Sequence, residues 1–196
     1  MTLTFRPVEC RMPHSLIIHP DSHCFTAARV EVGIARPDTK RLVLCYELTG
    51  KMNEFYIPPV TAAARTNELW RHTCFEAFVG ASSGAEYYEF NFAPSTQWAA
   101  YRFNGYRSGM CVAEEIDALP IEVQITADSC RLRASLDLDR LAISPRRGFS
   151  WRLGLSAVVE DRSGNKSYWA LAHPAGKPDF HHMDGFLHTF YSAEPS

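Results

Sequence analysis

The sequence predicts an all-β fold, an antiparallel β-sandwich with little helix, formed as a single domain over residues 1–196. About nine or ten short segments have the residue alternation or the β-branched and aromatic content of strands, and turn sequences separate them. Only one short segment favours a helix. Hydrophobic residues make up 46% of the chain and charged residues 21%, which is typical of a soluble globular protein with one core.

The first predicted strands lie between residues 25 and 57. Residues 25–34 and 41–48 are rich in Val, Leu, Phe and Tyr, and the turn sequence between them contains a Pro-Asp pair, so we expect a hairpin. A short strand at residues 54–57 ends before two prolines, which cannot donate to a strand ladder. Residues 58–68 are predicted to form a loop, in which residues 62–65 could make one helical turn.

The central strands have the clearest pattern. Residues 73–79 and 86–92 are predicted strands around a Gly/Ser turn, and residues 97–103 form the next strand. Because side chains alternate along a strand, the second of these has two faces, with Tyr88, Phe90 and Phe92 on one and Tyr87, Glu89 and Asn91 on the other. We expect the first face to pack into the core and the second to be polar.

The C-terminal part continues the same pattern. Residues 121–126 and 130–136 form a second predicted hairpin. Residues 137–141 begin with acidic side chains and are the one helix candidate, about a turn and a half long. Two final strands, residues 150–160 and 166–172, flank another turn sequence.

Charge and hydropathy exclude several classes of partner. The net charge is −2 with scattered Lys and Arg residues, so the chain lacks the basic field that gathers phosphates, and nucleic acid is not expected as a partner. No apolar run approaches the ~20 residues that span a bilayer, so no membrane partner is expected. The first residues lack the pattern of a signal peptide, which predicts a cytoplasmic protein.

The cysteines are predicted to be reduced and structural. There are six, at positions 10, 24, 45, 74, 111 and 130, without a C-x-x-C pair. Cys45 and Cys74 lie inside apolar predicted strands, where a free thiol behaves as a small hydrophobic side chain.

The strongest candidate site surrounds Glu76, which shares a strand face with Cys74 and Phe78. An enclosed carboxylate needs a donor, and Arg102 and Asn91 are the candidates. One interpretation is a structural Glu76–Arg102 pair that fixes strand register. The other is a polar site for a hydroxyl-rich ligand.

Aromatic and histidine residues extend this candidate site. Trp70 precedes the Glu76 strand and is expected at a rim, where an indole can stack on the apolar face of a sugar ring. The other tryptophans are expected in the core. Residues 173–182 contain three histidines and an aspartate, but neighbouring side chains rarely converge on a metal, and loop histidines are favoured over a metal site. The chain has no G-x-S-x-G or phosphate-binding glycine motif.

Several stretches together resemble bacterial DOMON-like proteins. They are NELW at 67–70, TCFEAF at 73–78, YEFNFAPS at 88–95, WAAYRF at 98–103, YWAL at 168–171 and PDFH at 178–181. The resemblance covers most of the chain and implies a sandwich of DOMON-like, immunoglobulin-like or jelly-roll type. DOMON-like proteins are similar in turn to family 9 carbohydrate-binding modules.

The resemblance also implies roles for particular residues. Family 9 modules place a tryptophan six residues before a glutamate at the sugar site, and Trp70 and Glu76 match that spacing. Arg102 is then a hydroxyl donor, and the aromatic side chain on the other side of the sugar falls near Trp169 or Phe180.

Other DOMON relatives imply a second possible role, haem binding. Some DOMON relatives hold haem b between a methionine and a histidine or lysine, for which Met110, Met183 and His181 are the candidates here. These proteins are mostly exported, whereas this chain shows no export signal, so the ligand does not follow from the family.

The function predicted from the sequence is therefore non-catalytic binding of a saccharide or a similar hydroxyl-rich small molecule, without a cofactor. A haem b redox domain is the first alternative. An enzyme or a structural interaction module is the second, since catalytic groups are defined by their arrangement in space and not by their order in the chain.

Overall fold

The computed structural model describes residues 10–22, 28–143 and 150–191, and it confirms the β-sandwich. Two antiparallel sheets carry the strands of the described residues. The five-stranded sheet has the order β1-β3-β4-β10-β9 and consists of β1 (Arg11–Ser15), β3 (Arg29–Ala35), β4 (Arg41–Thr49), β9 (Ile121–Ile125) and β10 (Ser129–Asp137).

The eight-stranded sheet has the order β2-β12-β11-β5-β6-β7-β8, with β13 also paired to β11. Its strands are β2 (Ile17–Ile18), β5 (Cys74–Ala81), β6 (Tyr87–Phe92), β7 (Trp98–Phe103), β8 (Cys111–Val112), β11 (Ser150–Glu160), β12 (Lys166–Ala170) and β13 (His188–Tyr191). The helical segments of the described residues are single 3-10 turns at Met52–Glu54, Leu69–Arg71, Leu138–Arg140 and Met183–Gly185. No helix in this part of the chain is long and apolar enough to cross a bilayer.

The core lies between the sheets because alternate residues of each strand are apolar. In β10 the inward side chains are Cys130, Leu132, Ala134 and Leu136, and all are buried. They meet the inward side chains of β5 and β6, which include Phe75, Phe90 and Phe92. Tyr46 lies among them and donates its hydroxyl hydrogen to the carbonyl oxygen of Glu76, with 2.6 Å between the oxygen atoms, so its one polar group is satisfied.

Most predicted strands are confirmed. The first hairpin is β3 with β4 and the second is β9 with β10, and the predicted strand at residues 150–160 has the bounds of β11. Part of the first predicted strand, residues 25–27, lies outside the described residues.

Two local predictions are wrong, and a third element is shorter than predicted. The strand at residues 54–57 is absent, because Glu54 ends a 3-10 turn and Phe55 makes one isolated bridge with Asp161. The turn at residues 62–65 is not helical, since Arg65 forms a parallel bridge with Trp98. The helix at residues 137–141 is a single 3-10 turn that Asp137 caps.

The prediction that every cysteine is reduced is wrong for Cys10 and Cys45, which form a disulfide. Gly33 makes room for it, because a Cβ at this position would lie 2.6 Å from the Cβ of Cys10. Cys74, Cys111 and Cys130 are free thiols, and Cys24 lies outside the described residues. Disulfides persist mainly in oxidising compartments, and the cytoplasmic location stays a prediction.

Candidate ligand-binding site

A cavity of about 400 Å³ lies on the outer face of the eight-stranded sheet, the face turned away from the five-stranded sheet. Strands β5, β6, β7, β11 and β12 supply its floor. A roof segment, residues 178–186, and the loop at residues 104–110 cover it. The lining residues are Trp70, Glu76, Glu89, Phe103, Arg107, Met110, Val158, Tyr168, Pro178, Phe180 and His181.

The outer face of β6 is polar, as predicted, and it is also buried. Tyr87, Glu89 and Asn91 are each at most 5% exposed. Phe186 of the roof segment covers part of this face, with its ring 5.8 Å from the rings of both Phe78 and Tyr87. The eight-stranded sheet is therefore covered on both faces, and the polar outer face of β6 lies in the interior of the protein.

Two buried carboxylates, Glu76 and Glu89, form the polar floor and are called the carboxylate pair below. Glu76 is 3% exposed and Glu89 is 5% exposed. They are diagonal neighbours, since Glu76 pairs with Asn91 and Glu89 pairs with Phe78 in the β5–β6 register.

Each carboxylate of the pair is only half satisfied. Ser156 Oγ donates to Glu76 Oε2 at 3.2 Å, and Asn91 Nδ2 donates to Glu89 Oε1 at 2.7 Å. Within the described residues the second oxygen of each carboxylate accepts no hydrogen bond. Both residues line the cavity, so these acceptor positions are available to a ligand.

Burial raises the pKa of both carboxyls. The pKa of Glu76 is well above its usual value, first because burial disfavours the charged form and then because Glu89 is nearby. Burial also raises the pKa of Glu89, while the hydrogen bond from Asn91 and the charge of Arg107 lower it in part. Of the two, Glu89 has the environment that better supports a negative charge.

His181 lies in the cavity as a neutral side chain. Its Nδ1 is 2.8 Å from the Tyr87 hydroxyl oxygen, and its Nε2 is 3.7 Å from Glu89 Oε2. Burial, together with the charge of Arg107, lowers its pKa to about 4. At neutral pH, therefore, His181 does not supply a positive charge to Glu89.

Asp179 joins the two segments that close the rim. Arg107 donates to Asp179 Oδ1 from Nη2 at 2.8 Å and from Nε at 3.2 Å. The Tyr106 hydroxyl and the backbone N–H of His181 also donate to Asp179. Asp179 thus links the 104–110 loop to the roof segment and binds two of the three guanidinium nitrogens of Arg107.

Four of the predicted site residues meet here. Trp70, Glu76, Phe180 and His181 line the cavity, with Trp70 near the Tyr101 ring at 5.8 Å between centroids. Asn91 is fully buried behind the lining, where it orients Glu89.

Two residues that were predicted to belong to the site lie elsewhere in the structure. Arg102 projects from the opposite face of β7 to Tyr101 and Phe103, because neighbouring side chains of a strand alternate. Its guanidinium lies near Glu115, at 3.9 Å, so the expected Glu76–Arg102 pair is wrong. Trp169 points into the core for the same reason, and its indole N–H donates to Ser167 Oγ at 2.9 Å.

Sequence reasoning missed several lining residues. Glu89 shares its strand face with Asn91, so parity alone could have placed it. Tyr168 takes the outer position next to the inward Trp169, and strand parity again carried the signal. Arg107 and Pro178 lie in loops, and no pattern in the sequence indicates that these loops fold over the sheet.

The residues do not fit a haem as axial ligands. Both nitrogens of His181 face polar partners, Tyr87 and Glu89. Met110 lines the cavity, but Met183 packs against the cluster of Phe78 and Phe186. In residues 10–22, 28–143 and 150–191, no three His, Cys, Asp or Glu side chains are grouped so as to hold a metal ion. Binding without a cofactor stays a prediction.

Two solved structures share this fold. A protein of Bacteroides uniformis named for an inferred carbohydrate-binding role superposes with a TM-score of 0.65 at 14% identity, over 89% of this chain and 82% of the other. A family 9 carbohydrate-binding module of Caldicellulosiruptor kristjanssonii, in complex with cellotriose, has a TM-score of 0.50 at 14% identity, over 84% of this chain and 74% of the other. No protein-family model and no curated protein matches the chain. The likeness shows the fold.

Proposed function

We propose that this chain is a non-catalytic, DOMON-like domain that binds a saccharide in the cavity on the outer face of the eight-stranded sheet. The observation that carries the proposal is the placement of the half-satisfied carboxylate pair in a cavity that aromatic side chains also line. The free oxygens open to the cavity, where sugar hydroxyls can donate hydrogen bonds to them in place of water.

The aromatic lining supports the same class of ligand. Trp70, Tyr168 and Phe180 contribute rings to the cavity. The apolar face of a pyranose packs on such rings while its hydroxyls reach the carboxylates. The volume of about 400 Å³ lies in the range of small-molecule sites.

The likeness of fold adds support of a weaker kind. A family 9 module of similar fold forms a complex with cellotriose. Because a fold hosts many functions, the proposal depends on the cavity of this chain and not on that likeness.

The test is calorimetric titration with a panel of mono- and disaccharides, together with Trp70→Ala and Phe180→Ala. We expect at least one sugar to bind, and each variant to weaken it by about tenfold or more, which corresponds to ~1.4 kcal/mol. Tyr191→Ala is the matched control, because Tyr191 is an exposed aromatic residue that does not line the cavity.

Flat titrations across the panel would contradict saccharide binding. Unchanged affinity in both cavity variants would place the sugar elsewhere on the molecule. Recovery of a chemically altered sugar after incubation would refute the non-catalytic part of the proposal.

A further inference from the structure

Among the described residues, no cationic side chain is in direct contact with the carboxylate pair. In the described part of the chain, no Lys or Arg nitrogen lies within ion-pair distance of Glu76 or Glu89. Arg107 lines the same cavity, and its charge lowers the pKa of Glu89 in part, but its guanidinium donates to Asp179 and not to the pair. His181 is close to Glu89 and is neutral because burial lowers its pKa.

This arrangement is unusual for buried carboxylates, which are normally paired or bound to a metal. Neither residue is needed to join the strands, since the Glu76–Asn91 and Glu89–Phe78 positions belong to a regular β5–β6 ladder. Ser156 and Asn91 satisfy one oxygen of each carboxylate, and the other oxygens lie at the cavity. The missing positive charge is therefore one that a ligand can supply.

The aromatic lining favours the same kind of group. Trp70, Phe103, Tyr168 and Phe180 line the same cavity as the carboxylate pair. Aromatic faces attract ammonium groups through the ring quadrupole, and the attraction grows when water is excluded. A neutral hydroxyl gains the hydrogen bond to a carboxylate but neither of these electrostatic contributions.

We infer that the preferred ligand is a saccharide that carries a protonated amine, an amino sugar, whose ammonium group binds Glu89 between the aromatic side chains. This inference rests on the proposed function and names the class of sugar. Glu89 is the ammonium acceptor because Asn91 orients it, while Glu76 accepts a hydrogen bond from the sugar.

The experiment compares matched sugars on the whole chain at neutral pH. Each trio contains an amino sugar, its N-acetyl derivative and the parent neutral sugar, built on glucose, galactose and mannose. In at least one trio, we expect the amino sugar to bind about tenfold or more tightly than both partners, a difference of ~1.4 kcal/mol. N-acetylation removes the charge and keeps the nitrogen, so it separates charge from shape.

Neutral sugars that bind as tightly as their amino forms would overturn this inference and leave saccharide binding intact. Absence of binding by every sugar would overturn the proposed function itself. The two failures are therefore distinguishable from the wild-type titrations alone.

Glu89→Gln tests the acceptor. We expect the ratio of amino-sugar affinity to neutral-sugar affinity to fall to about one, since the amide has no charge to attract the ammonium. Glu86→Gln is the matched control, because Glu86 is exposed and absent from the cavity lining, and it should leave the ratio unchanged. A Glu89→Gln protein that melts like the wild type and keeps the preference would contradict the assignment.

Discussion

The charged residues on the outer face of the five-stranded sheet and the carboxylate pair of the eight-stranded sheet differ in how they are paired. On the five-stranded sheet, Arg131 and Glu47 form an ion pair at 2.8 Å, and Arg133 lies 3.4 Å from Glu122. These pairs are on the surface. On the eight-stranded sheet, the carboxylate pair is buried under the roof segment, and no Lys or Arg nitrogen of the described residues lies within ion-pair distance of it.

The difference is the reverse of what stability alone would produce. Surface ion pairs contribute about 0–1 kcal/mol because water already solvates both charges, whereas a buried charge without a partner is destabilising. Arg131 and Arg133 are thus paired where a cation stabilises least. Buried groups that oppose stability are typical of binding sites, which is why the carboxylate pair is a better indicator of function than the surface pairs.

The largest expected effect tests whether the covered outer face is a second core. Phe186 is 2% exposed and packs on Phe78, so Phe186→Ala should lower the free energy of unfolding by roughly 3–5 kcal/mol. The neighbouring Leu187 is 60% exposed, and Leu187→Ala should change it by less than about 0.5 kcal/mol. Urea denaturation measures both, and equal effects would remove the distinction between the two outer faces.

A smaller effect of opposite sign is expected from Glu76→Gln. Because the folded-state pKa of Glu76 is raised, the stability that this group contributes is complete below its unfolded pKa of about 4.3 and is lost as the pH rises above it. The glutamine variant lacks this loss. At neutral pH we expect it to be more stable than the wild type by on the order of 1–3 kcal/mol.

Thermal or urea unfolding of the two proteins across the acidic to neutral range would measure this difference. It should be small near pH 4 and should increase with pH. A variant that is less stable at neutral pH would show that the Glu76 carboxylate supports the fold.

The smallest effect concerns the exposed pair. A double-mutant cycle with Arg131→Ala and Glu47→Gln should give a coupling free energy of about 0.2–1 kcal/mol, and added salt should reduce it. A larger coupling that resists salt would mean that the surface pair is shielded from water and that the contrast between the faces is weaker than the structure indicates.

Strand parity explains which parts of the fold and the site were predictable. The strands that contain Glu89 and Tyr168 were predicted from residue alternation, because side chains of a strand alternate between its two faces. The same rule was available for Arg102 and Trp169, but the need of Glu76 for a donor favoured Arg102 and the family resemblance favoured Trp169. The structure places both away from the cavity.

The segments that cover the site could not be predicted from local sequence patterns. Arg107 and Asp179 meet across 72 positions of sequence, and their contact depends on how two loops fold over the sheet. The Cys10–Cys45 disulfide was missed for a similar reason, because the pairing depends on a tertiary approach that Gly33 permits.

The order of the cavity's parts along the chain has a consequence for folding. Its floor begins as a local hairpin, β5 with β6, whereas the roof segment comes from the C-terminal end. The carboxylates of the floor therefore remain hydrated until the roof segment docks, and the docking step bears the cost of removing that water. We expect this segment to open before the sheets do. Amide hydrogens beneath it should then exchange through partial opening, whereas those of the central strands should exchange only through global unfolding.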